Sequence, residues 1–259
     1  MSKREHISYS ELKDWNTCPH YHKKAWVEKV APFEGNEYTA FGSAIHDVCE
    51  KKLLKEDINE NAVFQLGFAE RLQKLLEKNV EFDAKRVQEM KVAGPAILAE
   101  VEDALNDYFG DYEVFSSEEK LYVPIENFNV YFKGFIDAVV KVGDTYHLFD
   151  WKTCSWGWDS RKKSEKMVTY QLTLYKHFFC QKHKIDPANV ETHFALLKRT
   201  AKKDRVEIFR VTSGPKKTEN ALKLLYQAIY NIIKGVSIKN RLNCLKPYRC
   251  KLYNTEHCR

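Results

Sequence analysis

Glycine and proline are scarce, 10 and 7 in 259 residues, which excludes a collagen-like or low-complexity chain and leaves few breaks between elements. No stretch of about 18 consecutive apolar residues occurs, so no membrane span is expected. The charged start, Met1 to His6, is not followed by the apolar run of an export signal. An excess of one charge is also missing: 42 basic residues stand against 36 acidic ones. Such a densely mixed surface favours an anionic partner only weakly. Seven cysteines are an odd number without the density of a disulfide-stapled scaffold, which implies reduced thiols or metal ligands in a cytosol-like compartment. There is no internal repeat and no low-complexity linker.

Aromatic residues, by contrast, are plentiful: 15 Phe, 14 Tyr and 5 Trp suffice for a large core, and the length suits one extended domain. Ser8-Tyr9-Ser10-Glu11 has the pattern of a capping box and predicts a helix from Ser8, interrupted near Cys18-Pro19 and resuming from Tyr21 to Val30. Helical spacing recurs over 41–54, 62–78 and 84–109, the last broken near Gly94-Pro95. Segments 112–125, 129–142 and 145–153 are short and rich in β-branched and aromatic residues, which predicts an antiparallel meander. A helix over 168–183, strands over 191–198 and 205–211, and a helix over 216–234 complete the order. The expectation is an α/β fold, a mixed central sheet flanked by helices, with an N-terminal helical region (1–110), a core (111–236) and a cysteine-bearing tail (237–259).

Two carboxylates are out of place in this pattern. Asp137 lies within Gly134-Phe135-Ile136-Asp137-Ala138-Val139-Val140, an otherwise apolar strand, where an unpaired charge would cost several kcal/mol. Asp150 and Lys152 repeat the anomaly one strand later and share a face, because strand side chains alternate. If the Gly143-Asp144 turn closes a hairpin, Asp137 and Asp150 approach each other across it. A hard divalent cation between them, magnesium or manganese, relieves their repulsion. A buried Asp–Lys ion pair with Asp137 satisfied by backbone amides is the other account. Gly42, four residues before His46 on one helical face, leaves room for a backbone, ligand or substrate.

Taken in order, Gly42 to His46, Gly134 to Asp137, Asp150-Trp151-Lys152 and Gln171 to Tyr175 resemble the motifs of the RecB-like branch of the PD-(D/E)XK nuclease superfamily, which includes phage and bacterial exonucleases and the CRISPR adaptation nucleases. That resemblance implies a restriction-endonuclease-like core and a metal-dependent DNA nuclease, an exonuclease of recombination, replication or repair. Asp137, Asp150, the main-chain carbonyl of Trp151 and His46 would hold the metal; Lys152 would orient or deprotonate water and stabilise the phosphate. Gln171 and Tyr175 would support the site, with Glu118 or Glu119 as an outer carboxylate. Cys18, Cys244, Cys250 and Cys258 would form a four-cysteine iron–sulfur site, [4Fe-4S], with a zinc site or free or structural thiols as the alternatives, since five and seven residues separate the last three where a close C-x-x-C pair is usual. A non-catalytic nucleic-acid-binding subunit of the same fold is the competing reading.

Between Lys152 and the Gln171 helix, Trp156 and Trp158 accompany Arg161, Lys162 and Lys163. Indole faces stack on bases and the cations neutralise phosphates, which suggests a path for DNA, single-stranded or at a duplex end. The basic turn 198–205 is a second candidate contact.

Overall fold

The computed structural model describes residues 4–30, 34–245 and 250–259. Strand β1 (His6–Ser8) leads into helices α1 (Tyr9–Thr17) and α2 (Pro19–His22), followed by a π-helical turn, Lys23–Val27. Three longer helices come next: α3 (Glu37–Leu53), α4 (Glu60–Glu77) and α5 (Ala84–Phe109). Strands β2 (Glu113–Pro124), β3 (Tyr131–Val142) and β4 (Thr145–Cys154) precede helices α6 (Ser160–Ser164) and α7 (Lys166–His183). Strands β5 (Val190–Lys198) and β6 (Val206–Arg210) and helix α8 (Pro215–Ile233) follow. This is the α/β arrangement expected, a mixed sheet of six strands flanked by helices, in the order β1-β3-β4-β5-β6 with β2 also on β3.

Local chemistry explains most boundaries. The Ser8 hydroxyl accepts from the Glu11 amide, starting α1, but the Glu11 carboxylate turns away to Arg4 and His22, so only half of the predicted capping box forms. Helix α3 starts earlier than the apolar spacing indicates, because Asn36 and Thr39 make the reciprocal capping pair. Helix α5 is not broken at Gly94-Pro95 but runs through. Proline removes one amide donor there, and burial of Val87, Met90, Ile97, Leu98 and Val101 outweighs that loss, each such side chain contributing about 1.5–3 kcal/mol. Gly94 lies directly against the fully buried Phe64 of α4, which is what lets the two helices approach.

The larger compact unit comprises Glu34–Lys120 and Phe135–Ser213. Its core joins α3, α4 and α5 to one face of the sheet: Phe41, Phe64 and Phe68 meet at centroid distances of 5.7–5.8 Å, and Phe149, Trp151, Ala195 and Leu197 come from β4 and β5. Strands β4 and β5 are parallel over nine residue pairs, a pairing that requires a crossover, supplied by α7.

The smaller unit comprises Met1–Phe33, Leu121–Gly134 and Gly214–Arg259. In it β1, which the sequence reading does not anticipate, pairs in parallel with Tyr131–Lys133. The C-terminal segment is tied to the N-terminal one by side chains: Asn240 and Asn243 amides donate to the Thr17 carbonyl at 3.0 and 2.8 Å, and the His20 ring meets Ser237 Oγ and the His257 carbonyl.

Candidate active site

Hairpin geometry places the acids. The β3–β4 turn uses Gly143 at φ 57°, a conformation glycine adopts without penalty. Ala138 pairs with Phe149, so Asp137 and Asp150 stand one step further along, opposite each other. Alternation puts them on the face away from Ala138, Phe149 and Trp151, which enter the core.

Asp150 is 2% exposed. Its Oδ1 accepts from Gln171 Nε2 at 2.7 Å. Oδ2 faces the Lys152 ammonium as an ion pair, yet it receives no well-directed hydrogen bond. Asp137 Oδ2 accepts the Trp151 amide at 2.7 Å and lies 3.7 Å from His46 Nδ1. Gln171 also donates to the Tyr175 hydroxyl at 3.3 Å, so α7 braces the acid from one side. Asp137, Asp150, Lys152, His46, Gln171 and Tyr175, distant in sequence, therefore converge within the larger unit.

Burial pushes both acids up, each to about 6, against the pull of Lys152. Burial lowers His46 to about 4, leaving the neutral imidazole that ligates metals. Desolvation works against the Lys152 charge, but Asp150 and Asp137 outweigh it and raise the ammonium above its ordinary value. Those two carboxylates therefore hold Lys152 as the ammonium. Burial raises the Tyr175 phenol as well, which keeps it protonated.

Both features of the second account of these acids are present: the Asp150–Lys152 pair forms and Asp137 takes a backbone amide. Neither neutralises the site. A buried oxygen without a directed hydrogen bond, two raised carboxyls and a neutral imidazole are a donor set that fits a hard divalent cation. The linkage has a definite sign. A carboxyl with a folded-state pKa above its unfolded value adds stability below the ordinary carboxylate range, and that contribution is lost as pH rises through about 6. The cation-free site thus opposes folding at neutral pH.

Around these groups the outcomes differ. Gly42 makes room for the side chain of Thr153, whose Oγ1 would be 3.1 Å from a Cβ there, rather than for another backbone. Glu119 is held by Lys182 and His183, both at 2.7 Å. Glu118, at φ 48° in β2, is near enough for its charge to raise Asp137 and His46. Glu50 acts on Asp137 in the same way. Glu50 belongs to none of the motifs above, but its place four residues after His46 on one helical face is the signal that points to it.

In the loop after β4, Trp156 is 70% exposed, whereas Trp158 packs on Phe194 and Phe209 with Lys162 over its ring. Lys163 pairs with Glu207; Arg161 and Lys162 are exposed. In the smaller unit, Cys18, Cys244, Cys250 and Cys258 are free thiols lining one cavity of about 330 Å³. Burial and then the other three thiols raise the Cys244 pKa. Among the described residues no three of these sulfurs lie within 4.8 Å of one another, while sulfurs around a single zinc stand about 3.8 Å apart.

Comparisons with known proteins agree with this architecture. Residues 6–254 match the family model described as the PD-(D/E)XK nuclease superfamily. No curated protein matches the sequence. Among solved structures, a protein from Eubacterium rectale assigned provisionally as an exonuclease has a TM-score of 0.57 at 14% identity, over 96% of this chain and 86% of that one. The structure of SSO0001 covers 92% of this chain and 80% of its own at 11% identity, with a TM-score of 0.40, too low to carry an argument. Among the described residues no helix is long and apolar enough to cross a membrane.

Proposed function

Because the chain belongs to the PD-(D/E)XK nuclease superfamily, we propose that it is a magnesium- or manganese-dependent deoxyribonuclease, an exonuclease of the RecB-like branch acting in DNA recombination, replication or repair. The observation that carries this reading is the buried Asp150 carboxylate, opposite Asp137 and beside Lys152, with one oxygen lacking a directed hydrogen bond. Asp137, Asp150, His46 and the Trp151 carbonyl would hold the cation. A bound divalent cation supplies Lewis-acid stabilisation of charge on the scissile phosphate. Lys152 orients the attacking water and adds a second positive charge near the phosphoryl oxygens; Gln171 and Tyr175 fix the Asp150 side chain. The exonuclease assignment of the Eubacterium rectale protein, which shares the fold, supports the choice of exonuclease.

Exposed Trp156 with Arg161 and Lys162 offers a single strand a stacking surface and phosphate contacts next to the site. Packed Trp158 serves that loop as its anchor. End-labelled single-stranded and duplex DNA tests the proposal. Label release requires magnesium or manganese, stops with chelator and rises as pH climbs through about 6, where Asp137 and Asp150 lose their protons. Binding without cleavage under all these conditions identifies a non-catalytic DNA-binding protein instead.

The four cysteines of the smaller unit are proposed to hold a [4Fe-4S] cluster that ties the C-terminal segment to Cys18 at the end of α1. Anaerobically purified protein then contains about four irons per chain and absorbs visible light, and Cys250→Ser loses both. Colourless, iron-free anaerobic protein overturns this assignment.

A further inference from the structure

Three side chains on the sheet face opposite Asp150 meet in a way that the nuclease reading does not use. Strand register sets them there: His147 pairs with Glu191 across β4 and β5, and His193 follows two residues later on the same side. His147 Nδ1 and His193 Nε2 are 3.1 Å apart. Glu191 Oε2 lies 3.7 Å from the first and 3.9 Å from the second.

A hydrogen bond between the rings explains the first distance alone. The carboxylate oxygen is too far from both nitrogens for a hydrogen bond, yet it forms the third corner of a nearly regular triangle. The point equidistant from these three atoms is about 2.1 Å from each, the length of zinc–imidazole and zinc–carboxylate bonds.

The surrounding contacts hold each donor in place. His193, 1% exposed, keeps Nε2 toward the triangle while its Nδ1 meets the Tyr108 hydroxyl at 3.3 Å. Arg210 forms an ion pair with Glu191 Oε1 at 2.8 Å, leaving Oε2 directed inward. Phe109 packs against both imidazoles. Such outer partners fix ring orientation and tautomer at metal sites.

We infer that His147, Glu191 and His193 form a second metal site, of the zinc class, separate from the magnesium-type centre at Asp137 and Asp150. Two imidazoles and one carboxylate are borderline ligands that select zinc over magnesium. Three protein ligands leave a fourth position, and Glu191, a quarter exposed, opens that side to solvent. The ion joins the starts of β4 and β5, the parallel pair that carries Asp150 and Lys152.

Chelator-stripped full-length protein, dialysed against Zn²⁺ and analysed for metal, tests this. Expected is one zinc equivalent fewer in Glu191→Gln and in His193→Gln than in the unaltered chain, with zinc affinity at this site falling by at least about 100-fold. Asp150→Asn and Cys250→Ser retain that equivalent. Cobalt at this site gives weak visible bands without thiolate charge transfer, and these vanish in Glu191→Gln. Glu191 is partly exposed and glutamine has the same shape, so this variant folds if the histidine variant does not. Zinc content and cobalt bands unchanged in Glu191→Gln overturn the inference, as does zinc lost only with the cysteine or Asp150 substitutions.

Discussion

Asp150→Asn lowers the rate of magnesium-dependent DNA cleavage by at least about 10³-fold, the scale on which a group that positions transition-state charge acts. The substitution is isosteric, and its carbonyl still accepts from Gln171 Nε2, so the brace from α7 survives. What disappears is the negative charge that would hold the cation and pair Lys152. The effect belongs to chemistry and not to folding: Asp150 has a raised pKa, so removing its charge relieves desolvation that opposes the fold above about pH 6. Loss of the Lys152 partner offsets part of that relief. Cleavage of end-labelled DNA at saturating magnesium, with thermal unfolding and circular dichroism alongside, checks both halves. A variant that retains more than about a tenth of the activity removes Asp150 from the site.

The second large effect is on stability. Gly94→Ala is expected to destabilise the larger unit by about 3 kcal/mol, the upper part of the overpacking range, although alanine is the better helix former by about 1 kcal/mol. The new Cβ would fall 2.2 Å from Phe64 Cζ and 2.3 Å from Cε1. Phe64 cannot swing away, because Phe41 and Phe68 pack on it at 5.7 Å. The helices α4 and α5 must separate instead. Calorimetry should show Tm lower by roughly 6–12 °C. Phe64→Leu in the same chain should recover part of the loss, since the two positions touch and their effects couple. A Tm raised by Gly94→Ala would mean that α4 and α5 do not approach in this way.

Most of the order of elements is legible because the longer elements carry local signals: period-two alternation in β3 and β4, period 3.6 in α3 to α5, and cap residues at Ser8. The central acids are legible for a related reason. A carboxylate in an apolar strand is costly, so Asp137 and the Asp150–Lys152 pair call for a compensating partner on residue pattern alone. The break expected at Gly94-Pro95 does not occur, because backbone preference is local, whereas the burial that keeps α5 continuous comes from α4 and the sheet. Strand β1 is not legible, since three residues have no period to read. Two parallel neighbours, β4 and β5, come together only through α7, so nothing in the local sequence of Glu191-Thr192-His193 points to His147.

The hairpin acids on which the site rests are thus fixed by sequence. Alternation and a two-residue turn are short-range properties, and they suffice to set Asp137 opposite Asp150. Tertiary structure decided the rest: that His46 from α3 and Gln171 from α7 reach the same point, that Trp158 is packed while Trp156 is exposed, and that four cysteines from opposite ends of the chain share one cavity. Each of those outcomes depends on packing and side-chain hydrogen bonds between elements far apart along the chain, and local periodicity shows which face of an element is apolar but not which partner covers it.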